Sequence, residues 1–143
     1  MILFVCSQGR LRSRTAELLC LFGGVHARSA GTDRDAEVQL TDTLVRQASL
    51  IVCMERKHLQ AVTLFAHYGA CPVVQLGIPD EYDRLEAALM RDLIYQAQFH
   101  DPCLASTMER GRHLLLNQPG YQAALGSQSE PIADNPAYTA TPQ

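Results

Sequence analysis

Short apolar runs alternate with amphipathic stretches from the first residues of the chain. Ile2-Leu3-Phe4-Val5 is continuous and apolar, as a strand buried on both faces must be. From Ser13 to Phe22, the positions Ala16, Leu18, Leu19 and Phe22 recur at helical spacing and form a wide apolar face. Val25 to Ala30 reads as a second strand, stopped by Gly31. A helix begins near Thr41, a good N-cap, and turns Leu44, Val45 and Ala48 inward. Leu50-Ile51-Val52-Cys53 is a third buried strand. Glu55 to Tyr68 follows as a helix with Leu59, Val62, Phe65 and Ala66 on one face and Gly69 as its stop. Pro72 to Leu76 is a fourth strand, and Gly77 to Asp80 a loop. The next helix carries Leu85, Leu89 and Leu93 at i, i+4 spacing.

This alternation predicts an α/β fold: a doubly wound, four-stranded parallel sheet with helices on both faces. Ligands in such folds sit beyond the carboxyl ends of the strands. The loops after Val5, Cys53 and Leu76 are therefore the places to search for chemistry. After about Gln98 the pattern weakens. One more helix is expected over residues 104–117, because Leu114-Leu115-Leu116 need a surface to pack against. Residues 1–117 then form a single domain. From residue 118 the chain is rich in Gly, Ser, Pro, Ala and Thr, too poor in large apolar groups to offset its ordering entropy, and 118–143 is expected to be a flexible tail.

Composition changes this picture little. The apolar content of 47% and charged content of 19% are ordinary for a globular protein. A net charge of −3 gives no global attraction to nucleic acid or anionic membrane, and neither is expected as a partner. No apolar run approaches the roughly 20 residues of a membrane span, and no signal peptide is evident. Five cysteines at irregular spacing do not form a secreted disulfide framework, so a reduced, cytoplasmic protein is expected. There is no C-x-x-C pair, and His26, His58, His67, His100 and His113 are scattered, so no metal centre is expected. Each histidine reads as structural or solvated; His58 stands where it could order the turn after the third strand.

The informative stretch is Cys6-Ser7-Gln8-Gly9-Arg10-Leu11-Arg12-Ser13, between the first strand and the first helix. A loop placed there can wrap its backbone N–H groups around an anion at the helix N-terminus. The same donors would favour a thiolate at Cys6. Arg12 can offer a phosphate two parallel N–H bonds, a fork that lysine does not have. Ser13 can donate to the sulfur and ease its departure from phosphorus. A lone cysteine closing an apolar strand is more often simply buried. An Arg-Ser pair six residues after it, at a strand-to-helix turn, moves the reading toward catalysis. Arg10 and Arg14 are expected to be solvated and to add positive potential at the mouth.

Cys6 to Ser13 matches C-x5-R-[ST], and the chain resembles the low-molecular-weight protein tyrosine phosphatase family, in a protein tyrosine phosphatase-like subgroup. Other segments fit in order over residues 2–97. Arg12 to Glu17 is similar to the family's R-S-P-x-A-E helix start, with Arg14 where proline is usual. Ser29-Ala30-Gly31-Thr32 matches its S-A-G-T segment, and Ile51 to His58 its third strand and turn. Ile78-Pro79-Asp80-Glu81-Tyr82 resembles the P-D-P-Y loop that carries the general acid. Two departures stand out: Gly9 replaces an asparagine that helps hold the loop, and Leu11 replaces a second cysteine.

The resemblance implies a flavodoxin-like strand order 2-1-3-4, no cofactor, and a monomer or weak dimer. It also implies phosphomonoester hydrolysis through a phosphocysteine: Cys6 as nucleophile, Arg12 gripping the phosphate, Asp80 as general acid and then base. Ser7, Gln8, Gly9, Arg10, Leu11 and Ser13 would complete the phosphate loop, and Tyr82 would wall the substrate pocket. The implied substrate is a phosphorylated protein, phosphotyrosine first. Alternatives are a small phosphoester such as a nucleotide or an RNA end phosphate, or an arsenate reductase-like oxidoreductase that relays oxidation through Cys71 or Cys103.

Overall fold

The computed structural model describes residues 1–121. Four strands, β1 (Ile2–Cys6), β2 (Ala27–Gly31), β3 (Leu50–Cys53) and β4 (Val73–Gln75), form one sheet in the order β2-β1-β3-β4, all parallel. This is the doubly wound arrangement expected from the alternating pattern. Because β1 lies inside the sheet, its successive side chains point to opposite layers and all of them must be apolar. Phe4 and Cys6 face one layer with Val52, packed by Ala16, Leu19, Leu89, Leu93 and Met108. Leu3 and Val5 face the other with Ile51 and Cys53, packed by Leu44, Val45 and Val62. Each large side chain buried this way contributes about 1.5–3 kcal/mol of transfer free energy.

The helices filling these layers are α1 (Arg12–Phe22), α2 (Asp42–Gln47), α3 (Arg56–Val62), α4 (Ala87–Ala97) and α5 (Pro102–Leu116). Thr41 caps α2 as expected, its hydroxyl accepting from the Leu44 amide at 3.2 Å. α5 starts two residues earlier than the sequence suggested. Asp101 accepts from the Cys103 and Leu104 amides at 3.0 and 3.2 Å, and Pro102 occupies a position that needs no donor. Among the described residues no helix is long and apolar enough to cross a membrane.

Five expectations change. β2 begins at Ala27 rather than Val25, because the Val25 amide is still bonded to the Cys20 carbonyl at the end of α1. α3 stops at Val62 instead of reaching Tyr68. Beyond it Leu64 is 85% exposed and the chain continues in tight turns such as Phe65 N–H to Val62 C=O, while the Asp42 carboxylate accepts from the His67 amide. Leu85 is not in α4: it stands two residues before it, with φ at +64°. Of the three leucines that end α5, Leu115 is buried, Leu116 only partly so, and Leu114 half-exposed, since one helical face cannot hold three consecutive residues. In the segment expected to be a tail, Tyr121 is buried in the larger core layer; residues 122–143 lie outside the described residues.

Candidate active site

The parallel register brings the carboxyl ends of β1, β2 and β3 to one edge, pairing Cys6 with Gly31 and Val5 with Cys53. The loop leaving β1 then rises beside the loops leaving β2, β3 and β4. A cavity of about 400 Å³ opens there, lined by Cys6, Ser7, Gln8, Arg10, Leu11, Arg12, Asp33, Lys57 and Asp80.

Cys6 sits at its floor, 2% exposed. Its Sγ accepts from the Gly9 amide at 3.1 Å and lies 3.0 Å from the Ser13 hydroxyl. An amide and a hydroxyl thus converge on the sulfur, and Ser13 is itself fully buried in the first turn of α1. The loop closes on β2 through backbone bonds, Thr32 N–H to Cys6 C=O at 3.0 Å and Asp33 N–H to Ser7 C=O at 2.8 Å.

Gly9 fits this loop for two physical reasons. Its φ is +72°, a left-handed conformation that costs a residue with a Cβ. A Cβ there would also stand 2.9 Å from the Ala30 carbonyl carbon and the Gly31 amide nitrogen, with backbone on both sides. Gly31 faces Ser7 and Gln8 just as closely. Loop and strand end therefore interlock through two glycines, and no side chain at position 9 is needed to hold them.

Arg12 is buried, 1% exposed, which demands partners for its charge. Its Nη1 donates to the Glu55 carboxylate and, at 2.8 Å, to the Ile78 carbonyl; its Nε lies 3.7 Å from Asp80 Oδ1. Burial pulls the Glu55 carboxyl up, but the combined attraction of Arg12, Lys57 and His58 outweighs this and holds it below the ordinary range. Asp80 is more than half exposed, at the open side of the cavity.

His58 was expected at most to order the turn after β3. It does so: the Glu55 amide donates to its Nδ1 at 3.0 Å. That bond fixes the tautomer, leaving the proton on Nε2, which lies 3.0 Å from the Ser7 hydroxyl and therefore donates to it. Burial, reinforced by the Arg12 charge, pushes the imidazole down to about 4. A neutral ring thus ties the third-strand turn to the loop that follows β1.

Of the residues singled out in the sequence, Cys6, Ser7, Gln8, Arg10, Leu11, Arg12 and Asp80 line the cavity together, and Gly9 and Ser13 bond its floor. Tyr82 does not join them. Its hydroxyl donates to Asp92 at 3.3 Å and its ring, partly buried, packs against the core, while Leu11, Asp33 and Lys57 are among the residues lining the cavity. Sequence reasoning missed Glu55, Asp33 and Lys57. Glu55 had one signal: it directly follows a strand whose carboxyl end was marked for search. Among the described residues no group of three or more His, Cys, Asp or Glu could hold a metal ion.

No protein-family model matches the chain, and no curated protein matches it in sequence. Solved structures do. Wzb of Vibrio vulnificus, in complex with benzylphosphonate, is 20% identical over 88% of this chain and 97% of its own, with a TM-score of 0.49. The YwlE arginine phosphatase of Geobacillus stearothermophilus is 18% identical over 90% and 96%, with a TM-score of 0.48. A low-molecular-weight phosphotyrosine phosphatase of Vibrio cholerae O395 is 19% identical over 81% and 94%, with a TM-score of 0.47. These are likenesses of chain path, and the role of each residue here rests on the geometry of the site itself.

Proposed function

We propose that this protein is a cysteine-dependent phosphomonoester hydrolase working through a phosphocysteine intermediate. The observation that carries the reading is the convergence of Cys6, Arg12 and Asp80 on one cavity whose floor directs the Gly9 amide and the Ser13 hydroxyl at the sulfur. In the first step Sγ bonds to phosphorus as the P–O ester bond breaks, and Asp80 gives its proton to the leaving oxygen. In the second, water bonds to phosphorus, the S–P bond breaks, and the water's proton goes to Asp80. Arg12, fixed by Glu55 and Ile78, balances the charge on the transferring oxygens.

The relay reading is less well supported. Cys20 and Cys53 are buried thiols pushed up to about 12 by burial, hence protonated and inert. Cys71 packs against the core layer opposite to that of Cys6, with the sheet between them.

The carrier of the phosphate is a protein side chain or a small phosphoester. Turnover should be compared across phosphotyrosine and phosphoserine peptides, nucleotides and RNA end phosphates. The mechanism is tested with aryl and alkyl phosphates. Cys6→Ser should abolish turnover while phosphate still binds. Asp80→Asn should slow esters with poor leaving groups about 10²-fold or more relative to activated aryl esters. Turnover by Cys6→Ser, or an Asp80→Asn effect independent of the leaving group, would remove this mechanism.

A further inference from the structure

Asp80 stands on a stretch with neither helix nor strand, from the end of β4 to the start of α4, yet a proton donor must be placed to within a fraction of an ångström of its target. On the near side, two residues before Asp80, the Ile78 amide donates to the Met54 carbonyl and the Ile78 carbonyl accepts from Arg12, both at 2.8 Å. On the far side, five residues on, the Leu85 amide donates to the Thr15 hydroxyl at 2.9 Å. Both anchors come from the first turn of α1, three residues apart, so Arg12 and Thr15 share a face and grip the acid loop on either side of Asp80.

The Thr15 hydroxyl also donates to the Leu11 carbonyl at 2.8 Å. Leu11 lines the cavity and immediately precedes Arg12. One buried hydroxyl therefore bonds the phosphate loop with its proton and the acid loop with its lone pair. Leu85 is the only non-glycine among the described residues with a positive φ, a conformation that persists only where the surroundings enforce it. What enforces it is visible. Its amide is held by Thr15, its carbonyl accepts from the Tyr121 hydroxyl at 3.4 Å, and its side chain is buried in the larger core layer.

We propose that Thr15 is a positioning residue for the general acid: its hydroxyl locks Leu85, and thereby the segment carrying Asp80, to the phosphate loop. Tyr121 seconds it from the other side of Leu85. This rests on the phosphatase reading above, with Asp80 as acid. Thr15 is not among the residues lining the cavity, its hydroxyl bonds Leu11 and Leu85, and its effect passes through where Asp80 stands.

The test is the leaving-group dependence of kcat/KM over a series of aryl and alkyl phosphates. Thr15→Val keeps the side-chain shape and removes both hydrogen bonds. It should lower kcat/KM for the poorest leaving groups about tenfold or more relative to the most activated ester, since a small displacement forfeits part of a 10²–10⁴-fold assistance. Thr15→Ser should restore the wild-type dependence. In the Asp80→Asn background Thr15→Val should add no further leaving-group dependence, because the group it positions is gone. A uniform loss across the series, or none, overturns the proposal. Should Thr15→Val fail to fold, Tyr121→Phe decides: it should shift the dependence in the same direction by a smaller factor, and an unchanged dependence overturns the proposal. The outcomes also separate the two readings. If Asp80→Asn itself lacks leaving-group dependence, the assigned acid is wrong; if Asp80→Asn has it and Thr15→Val does not, only the role of Thr15 fails.

Discussion

Acid should loosen this protein in a way traceable to one ring. His58 is fully buried, and its imidazole is pushed from 6.5 down to about 4 by burial and then by Arg12, with Lys57 adding to the push and Glu55 and Asp33 opposing it. The unfolded chain binds a proton at this histidine below about pH 6.5, whereas the folded chain does not until about pH 4. Between those values the unfolded state holds more protons, so stability falls as pH falls. Above pH 6.5 the ring is neutral in both states and contributes no pH dependence. Each pH unit below 6.5 removes about 1.4 kcal/mol, so the loss reaches about 2 kcal/mol at pH 5 and about 3 kcal/mol at pH 4. Other groups titrate in the same range, so the assay must isolate His58. Urea unfolding from pH 7.5 to 4.5 on the wild type and on His58→Gln gives a difference curve from which common titrations cancel. At pH 7.5 the variant should be less stable, through its weakened bonds to Glu55 and Ser7. The gap should shrink by about 2 kcal/mol toward pH 5, because only the wild type carries the imidazole. A difference constant to within about 0.5 kcal/mol over that range, against about 1.4 kcal/mol expected for each pH unit below 6.5, would show that the ring is not held neutral. The neutral ring with its proton on Nε2 can be checked separately by nitrogen chemical shifts.

Two further outcomes follow from the same site. Gly9→Ala forces a Cβ into a left-handed residue and against the Ala30–Gly31 backbone, so thermal or urea unfolding should show a loss of about 2 kcal/mol or more, with weaker phosphate binding. Glu55→Gln leaves the buried Arg12 charge without its carboxylate, and kcat/KM should fall for activated and poor leaving groups alike, by about tenfold or more. An effect graded by leaving group would instead place Glu55 in proton transfer.

The alternation of elements was readable because β1 and β3 are buried on both faces, which leaves no room for polar residues in Ile2–Val5 or Leu50–Cys53. The floor of the site was readable because Cys6, Arg12 and Ser13 are close in sequence and their spacing is imposed by one strand-to-helix turn. What could not be read is what comes from elsewhere. Lys57 reaches the cavity only because parallel pairing sets Cys53 beside Val5, and nothing in its neighbours announces that. Asp33 arrives by the same route from β2. The setting of Tyr82 was unreadable for a related reason. Its hydroxyl bonds Asp92, inside α4, a contact ten residues away that a linear motif does not contain.

The start of α1 shows why the departures from the familiar loop need not weaken it. Leu11 occupies the N-cap position and makes no side-chain cap, and no acidic residue stands in the first turn. Judged as a helix alone, this is a poor beginning, since a capping Ser or Asp is worth about 1 kcal/mol. Within the site it has a use. A side chain that bonded these amides, or a carboxylate beside them, would compete with an anion for the positive end of the helix. The turn directs its buried polar side chains away from those amides instead. Ser13 goes to the sulfur, Arg12 to Glu55 and Ile78, and Thr15 to Leu11 and Leu85. Stability forgone at the cap is recovered through tertiary bonds from three of the first four residues of the helix. Those bonds fix Cys6, Arg12 and the segment carrying Asp80 relative to one another while the cavity side of the turn stays open to an anion.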